Sequence, residues 1–221
     1  MGRCLIIAID GPAGAGKSTV ARELARRLGY RLLDTGALYR AVTLAALRSG
    51  LDPSDEERVG ALAEGLELRL DVEDGTLRVR LGRDDVTALI RGPDVSTAVS
   101  VVAALPRVRA AMVPRQRAFA DGARGVVAEG RDIGTVVFPD ADVKFYLDAD
   151  PAERARRRAS ERGGQDVAEV AREIAERDRR DGTRSVSPLR PADDAVHVDT
   201  TGRTADEVVA RLVERVRERR G

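Results

Sequence analysis

The chain of 221 residues carries 38 basic against 37 acidic side chains, a net of +1, which excludes a polybasic nucleic-acid or membrane binder and leaves length for one α/β domain with a modest insertion. A single cysteine, Cys4, excludes an internal disulfide and a cysteine-built metal cluster, and reads as a buried, reduced thiol in the first strand of a cytoplasmic protein. Apart from Lys17 and Lys144 every basic side chain is arginine, so one arginine says little by itself and spacing must carry the argument.

The chain opens on the apolar run Cys4-Leu5-Ile6-Ile7-Ala8-Ile9, closed by Asp10 and far too short for a signal-peptide core or a membrane span. Gly11-Pro12-Ala13-Gly14-Ala15-Gly16-Lys17-Ser18 then fills the pattern G-x-x-x-x-G-K-[ST]. A buried strand leads into a turn whose amide N–H groups point at an anion, and a helix starting near Lys17 adds its positive end to that cage. Lys17 is expected against the β and γ phosphates of a nucleotide and Ser18 on Mg2+, with donor contacts running from Gly11 through Thr19.

Val20, Leu24 and Leu28 recur on one helical face, and Gly29 falls where a left-handed cap would end that helix. Residues 31–34 read as a second strand, and 37–47 as a helix stopped by Ser49-Gly50. From Leu66 the rhythm becomes alternation through Leu68, Leu70 and Val72, then Leu77, Val79 and Leu81 across a Glu73-Asp74-Gly75 turn, with a third strand through 86–90. This antiparallel piece interrupts an otherwise βαβ order and is an insertion. Residues 93–121 have a helical pattern broken at Pro106, and 125–129 and 143–147 are the third and fourth parallel strands. Asp150-Pro151 caps a helix loaded with Arg154, Arg156, Arg157, Arg158 and Arg162, which Gly163-Gly164 breaks. A second charged helix over 168–180, a proline-bearing loop over 185–191, a strand at 195–199 and an amphipathic helix over 204–219 complete the chain. His197, the one histidine, sits in that last strand and is given a structural role. The alternation predicts a parallel sheet with helices on both faces.

A P-loop does not by itself choose among GTPases, motors and small-molecule kinases. An Asn-Lys-x-Asp guanine-reading segment is missing from the sequence, and no apolar strand ends in Asp-Glu; Asp148-Ala149-Asp150 serves better as a helix cap. Arginines spread over several segments favour a kinase whose acceptor is already phosphorylated. Its nucleophile is an ionised oxygen that needs no general base, and the chemical problem is to hold two polyanions in line and exclude water.

Five segments resemble bacterial-type cytidylate kinases, of the nucleoside monophosphate kinases, essentially end to end. They are Ile9-Asp10-Gly11-Pro12; Leu33-Asp34-Thr35-Gly36-Ala37-Leu38-Tyr39-Arg40; Pro106-Arg107-Val108-Arg109; Gly130-Arg131-Asp132-Ile133-Gly134-Thr135-Val136-Val137-Phe138-Pro139; and Glu176-Arg177-Asp178 through Asp181 to Arg184. The resemblance implies a three-layer P-loop kinase fold with a central parallel five-stranded sheet, a small antiparallel insertion and a helical lid. It divides the chain into a core (1–33, 105–150 and 182–221), a monophosphate-binding region (34–104) and a lid (151–181). The implied reaction moves the γ-phosphoryl of ATP to CMP and dCMP with Mg2+, in a cytoplasmic monomer that engages neither nucleic acid nor membrane.

Carried over by position, the resemblance puts Arg40, Arg131 and Arg184 on the acceptor phosphate, with Thr35 and Tyr39 lining that pocket. Arg177 and Asp181 face the sugar; Ser100, Arg109 and Asp132 read the base. Cytosine offers a donor at N4 and acceptors at N3 and O2, so a carboxylate on N4 rejects uracil by setting acceptor against acceptor. Lys17, Arg131, Arg184 and Arg157 are the implied catalytic groups, Arg157 touching the transferring phosphates with Arg154 and Arg158 beside it. Thr35 stands where many members carry serine, and the choice between ribose and deoxyribose is open. Other readings stay open as well: Arg177 and Asp181 fit an ordinary i, i+4 surface pair, and the arginines of 154–162 fit a solvated helix face. A kinase for another small acceptor such as UMP, or a nucleotide-binding module without turnover, are the alternatives in function.

Overall fold

The computed structural model describes residues 4–73 and 76–219. Among the described residues eight strands and eight α-helices follow one another: β1 (Leu5–Asp10), α1 (Lys17–Leu28), β2 (Arg31–Asp34), α2 (Thr35–Arg48), α3 (Glu56–Gly65), β3 (Leu68–Glu73), β4 (Thr76–Leu81), β5 (Asp84–Asp85), α4 (Pro93–Val102), α5 (Pro106–Ala118), β6 (Gly125–Glu129), β7 (Val143–Asp148), α6 (Pro151–Glu161), α7 (Val167–Thr183), β8 (Val196–Asp199) and α8 (Ala205–Glu218). The described residues fall into two compact units, those of Met1–Leu32 with Gly122–Gly221 and those of Leu33–Asp121.

The first unit is built on a parallel five-stranded sheet of order β2-β6-β1-β7-β8. Its strands read as apolar runs because both faces are covered. Ile7, Ile9, Phe145, Leu147 and Val198 pack with Val20 and Leu24 of α1 and with Val208, Leu212 and Val216 of α8 in one buried cluster. Gly29 caps α1 with a left-handed backbone, and a Thr204–Glu207 capping box starts α8. β1 lies between β6 and β7, so chain order reverses on either side of it, and the crevice at such a point beyond the strand ends is where open α/β sheets bind ligands. A smaller cluster of Ala13, Ala159, Val170 and Ile174 packs α6 and α7 onto the loop after β1.

The second unit carries the antiparallel sheet β3-β4-β5, in register Leu68↔Leu81, Leu70↔Val79 and Val72↔Leu77. Leu68, Leu70, Leu77 and Leu81 pack around Ala37, Ala41, Val79, Val86 and Ile90. The expected turn residues Asp74 and Gly75 lie outside the described residues.

Two expectations need correction, and one helix was not foreseen. The third strand is the two-residue β5 at Asp84–Asp85, while Val86 to Ile90 runs into a 3-10 turn at Leu89–Arg91 and sinks Val86 and Ile90 into the core. α3 is the unforeseen helix: Asp55 caps it by accepting from Arg58 N, Val59 and Ala63 supply its buried stripe, and α5 packs on it within the second unit. Cys4 precedes β1 and is half-buried. Among the described residues no single helix is long and apolar enough to cross a membrane.

Candidate active site

β1 delivers the chain to a loop in which Gly14 and Gly16 have φ of 79° and 83°. A Cβ on Gly14 would stand 2.8 Å from Arg154 O, so glycine is required there both by backbone hand and by close approach of α6. Gly16 caps α1, whose exposed first turn holds Ser18 and Thr19. Lys17 is buried and donates to Pro12 O at 2.6 Å. Burial, with the Arg131 guanidinium next in weight, pulls its ammonium down to about 7, Glu129 acting against both. Its ammonium rests on the Pro12 carbonyl, and a polyphosphate arriving beside it would reverse that shift.

Magnesium bound with a nucleotide asks a protein for one or two hard oxygens. The Ser18 hydroxyl fits, and so does the carboxylate of Glu129, buried at the end of β6 beside β1 and close enough to Lys17 to act on its charge. Among the described residues no group of three or more His, Cys, Asp or Glu could hold a metal without such a partner. Glu129 went unremarked in the sequence, although an acid ending an apolar strand was a visible signal.

The residues expected around the acceptor fall into two sets, one per unit. In the first, Asp181 on α7 is 4% exposed and gathers three guanidiniums: Arg131 Nε at 2.9 Å, Arg184 Nη1 at 3.9 Å and Arg177 Nε at 4.0 Å. Asp132, equally buried, stands 3.6 Å from Arg184 Nη2. Arg131, Arg177 and Arg184 thus share one buried cluster with Asp181 and Asp132, and both Arg131 and Arg177 are near enough to depress Lys17. The surface-pair reading of Arg177 and Asp181 is thereby excluded. Arg184 also donates to Ser187 O, a residue held at φ 55° directly before Pro188, where non-glycine backbone is strained.

In the second unit, Thr35, Tyr39 and Arg40 project from α2, which Asp34 caps by accepting from Ala37 N, two residues earlier than the pattern suggested. Arg40 Nη1 donates to Ser96 Oγ at 2.9 Å and to Ile90 O at 3.3 Å. Ser100, one turn after Ser96 on α4, is buried. Arg109 on α5 donates to Ala103 O and lays its guanidinium over the Tyr39 ring, 5.2 Å from the centroid.

The arginines of α6 separate into two kinds. Arg156, Arg158 and Arg162 pair with Glu153, Glu161 and Glu173 at the surface, so for them the solvated-face reading holds. Arg154 donates to Ala13 O and to Asp178, whose other oxygen accepts from Ala13 N at 3.0 Å; the two side chains thus bracket one residue of the phosphate loop, holding the peptide group on either side of its Cα. Arg157 donates to Thr200 Oγ1 and Thr200 O, with Nη1 3.8 Å from where a Cβ on Gly16 would lie. Asp178 and Thr200 were not anticipated as loop supports. His197 pairs its ring with Tyr146 at 5.4 Å, in keeping with a structural role.

A family model described as Cytidylate kinase matches residues 7–218. A protein named Cytidylate kinase from Pelotomaculum thermopropionicum is 52% identical over 216 residues, covering 95% of each chain. Another of that name from Mycobacterium avium is 48% identical over 219 residues, covering 97% of this chain and 96% of its own. Among solved structures, an uncharacterized protein from Eubacterium ventriosum aligns over 96% of this chain and 98% of its own with a TM-score of 0.55 at 13% identity, a likeness of fold.

Proposed function

The chain belongs to the cytidylate kinase family, phosphotransferases that act on CMP with ATP as donor, and we propose on that footing that dCMP is a second acceptor and that Mg2+ takes part. The observation that carries this reading is the buried arginine cluster around Asp181, whose field reaches Lys17 of the phosphate loop. Guanidiniums held in place this close to the phosphate loop are what two phosphates need in order to approach each other.

Lys17 and the amides from Gly11 to Thr19 hold the donor phosphates. Arg131 and Arg184, with Arg40, take the acceptor phosphate beside Thr35 and Tyr39. Asp181 and Asp132 hold Arg131 and Arg184 in the free protein, so these groups are oriented before an anion arrives. Arg177 and Asp181 face the sugar. Asp132 accepts from the N4 amino group of cytosine, and Ser100 and Arg109 donate to N3 and O2. Mg2+ would be held by Ser18 and Glu129 and supplies neutralisation of charge between the phosphates. The acceptor oxygen is already ionised, so no side chain has to remove a proton from it. Residues 34–104 serve as the monophosphate-binding region and 151–181 as the lid, with Arg157 turning from Thr200 to the phosphates on closure. The enzyme works as a cytoplasmic monomer without nucleic-acid or membrane contacts.

An ADP-release assay across CMP, dCMP, UMP, AMP and shikimate tests the assignment. CMP and dCMP are expected to exceed UMP by about tenfold or more, the worth of one unpaired buried acceptor. Equal rates with UMP would defeat the role given to Asp132.

A further inference from the structure

We propose that Asp10 is a positioning residue for acceptor recognition: its carboxylate fixes the Arg131-Asp132 span to the same strand end from which the phosphate loop departs. This rests on the reading above, in which Arg131 and Asp132 meet the acceptor.

Asp10 is the last residue of β1 and is 4% exposed. Its two oxygens are each used once, Oδ1 by Ile133 N at 2.8 Å and Oδ2 by Gly134 N at 2.7 Å. Those amides open the short π-helical turn Ile133–Val137, whose first N–H groups have no acceptor inside the turn. Just upstream, Gly130 N donates to Ile9 O at 3.0 Å. The backbone is therefore tied to β1 at 130 through a main-chain bond and at 133–134 through a side chain. Only Arg131 and Asp132 lie between the two anchors.

Two residues held at both ends have little freedom, and both are ones whose direction matters. Arg131 reaches Asp181, and Asp132 turns at φ −145°, ψ 26° to face Arg184. Gly134 makes the downstream anchor possible. A Cβ there would stand 3.1 Å from Lys144 Cδ and 3.4 Å from Asp10 Oδ2, so a larger residue crowds the amide between the lysine stem and the carboxylate. Lys144, buried and paired with Asp194 at 2.9 Å, backs the turn from β7.

Burial pushes the Asp10 carboxyl up to about 6 against the pull of the two amides, with Asp132 adding to the rise and Lys17 opposing it. An ionisable group kept in such a place with both oxygens spent on backbone N–H groups is there to orient that backbone.

Asp10→Asn tests this with little change of volume. One acceptor oxygen remains, but an amide NH2 now faces the second N–H, and the downstream anchor is lost. The expected result is a fall of about tenfold or more in kcat/KM for CMP and a drop in the CMP-to-UMP ratio, with ATP affinity in the absence of acceptor within about threefold of the parent. Parallel loss of ATP affinity with the CMP-to-UMP ratio intact would overturn the proposal, because Asp10 would then merely support the strand and the phosphate loop. Should Asp10→Asn fail to fold, Gly134→Ala crowds the same amide and is held to the same split, uniform loss or no change counting against it. Asp132→Ala runs alongside. If it leaves the ratio unmoved, the base-reading role falls and this inference with it; if it moves the ratio while Asp10→Asn and Gly134→Ala do not, only the inference falls.

Discussion

Arginine is so common in this chain that residue type alone could not sort the working guanidiniums from the solvated ones. Burial sorts them. Arg131, Arg177 and Arg184 surround a carboxylate sealed from water, whereas Arg156, Arg158 and Arg162 hold glutamates at the surface, three to eleven positions away, where water screens the charge. Lys17 was legible without any of this, because four fixed residue types around it leave one physical interpretation. Replacing it is expected to be costly in rate rather than in folding: Lys17→Met should lower kcat by about a hundredfold or more, as loss of a preorganised charge on a transferring phosphate does. Single-turnover kinetics beside a thermal melt checks this, and a near-normal rate would remove Lys17 from the chemistry. Glu129, Asp178 and Thr200 escaped the sequence for a common reason. Each is an ordinary polar residue by its local setting, Glu129 ending β6, Thr200 following β8 and Asp178 inside α7, and each acquires its part only from what folds against it, the backbone of Ala13 in one case and Arg157 in another.

Among the elements, those with a strong period were placed correctly. α8 was given by Val208, Val209, Leu212, Val213 and Val216, all buried, and the β3–β4 hairpin by its alternating leucines. α3 was overlooked because Glu56 to Gly65 offers only Val59 and Ala63 as a buried stripe and lives on its Asp55 cap and on packing against α5. Val86 to Ile90 looked like a strand by composition, yet its apolar residues are wanted by a core they reach through a turn. Gln116 of α5 is fully buried with no partner for its amide among the described residues, and nothing in the structure explains it. One element contact makes a sharp prediction. A Cβ on Gly125, at the start of β6, would come within 2.7 Å of three atoms of the buried Tyr30 ring. Gly125→Ala should therefore destabilise by about 1–3 kcal/mol through overpacking. Urea unfolding reads it as a lower midpoint at unchanged slope; an unshifted midpoint would mean that the ring moves aside freely.

For the whole molecule, the buried Asp10 leaves a signature in the pH dependence of stability. Its folded pKa of about 6 lies above the ordinary 3.8, because burial disfavours the charge. The native state therefore holds that proton more tightly than the unfolded chain. The stabilising contribution is fully present below about 4 and is lost as the pH rises through about 6, by about 3 kcal/mol for a shift of this size. The difference in unfolding free energy between the parent and Asp10→Asn should accordingly vary by that order between pH 4 and pH 7. A difference independent of pH would show that the carboxyl titrates normally.

The amino-acid sequence by itself determined the phosphate loop, the alternation of strands and helices around a parallel sheet, and the antiparallel insertion, because these depend on neighbours within a few positions and on periodicities of two and 3.6. It also carried the family likeness on five short segments. Only the tertiary structure decided which acids and arginines share a water-free cluster, that Asp10 spends its charge on the backbone of Ile133 and Gly134, and that Asp178 and Arg154 bracket Ala13. The pairings made by Asp10 and by Ala13 join residues 123 to 165 positions apart. Desolvation, which sets their strength, comes from the packing of the whole unit and leaves no local mark in the chain.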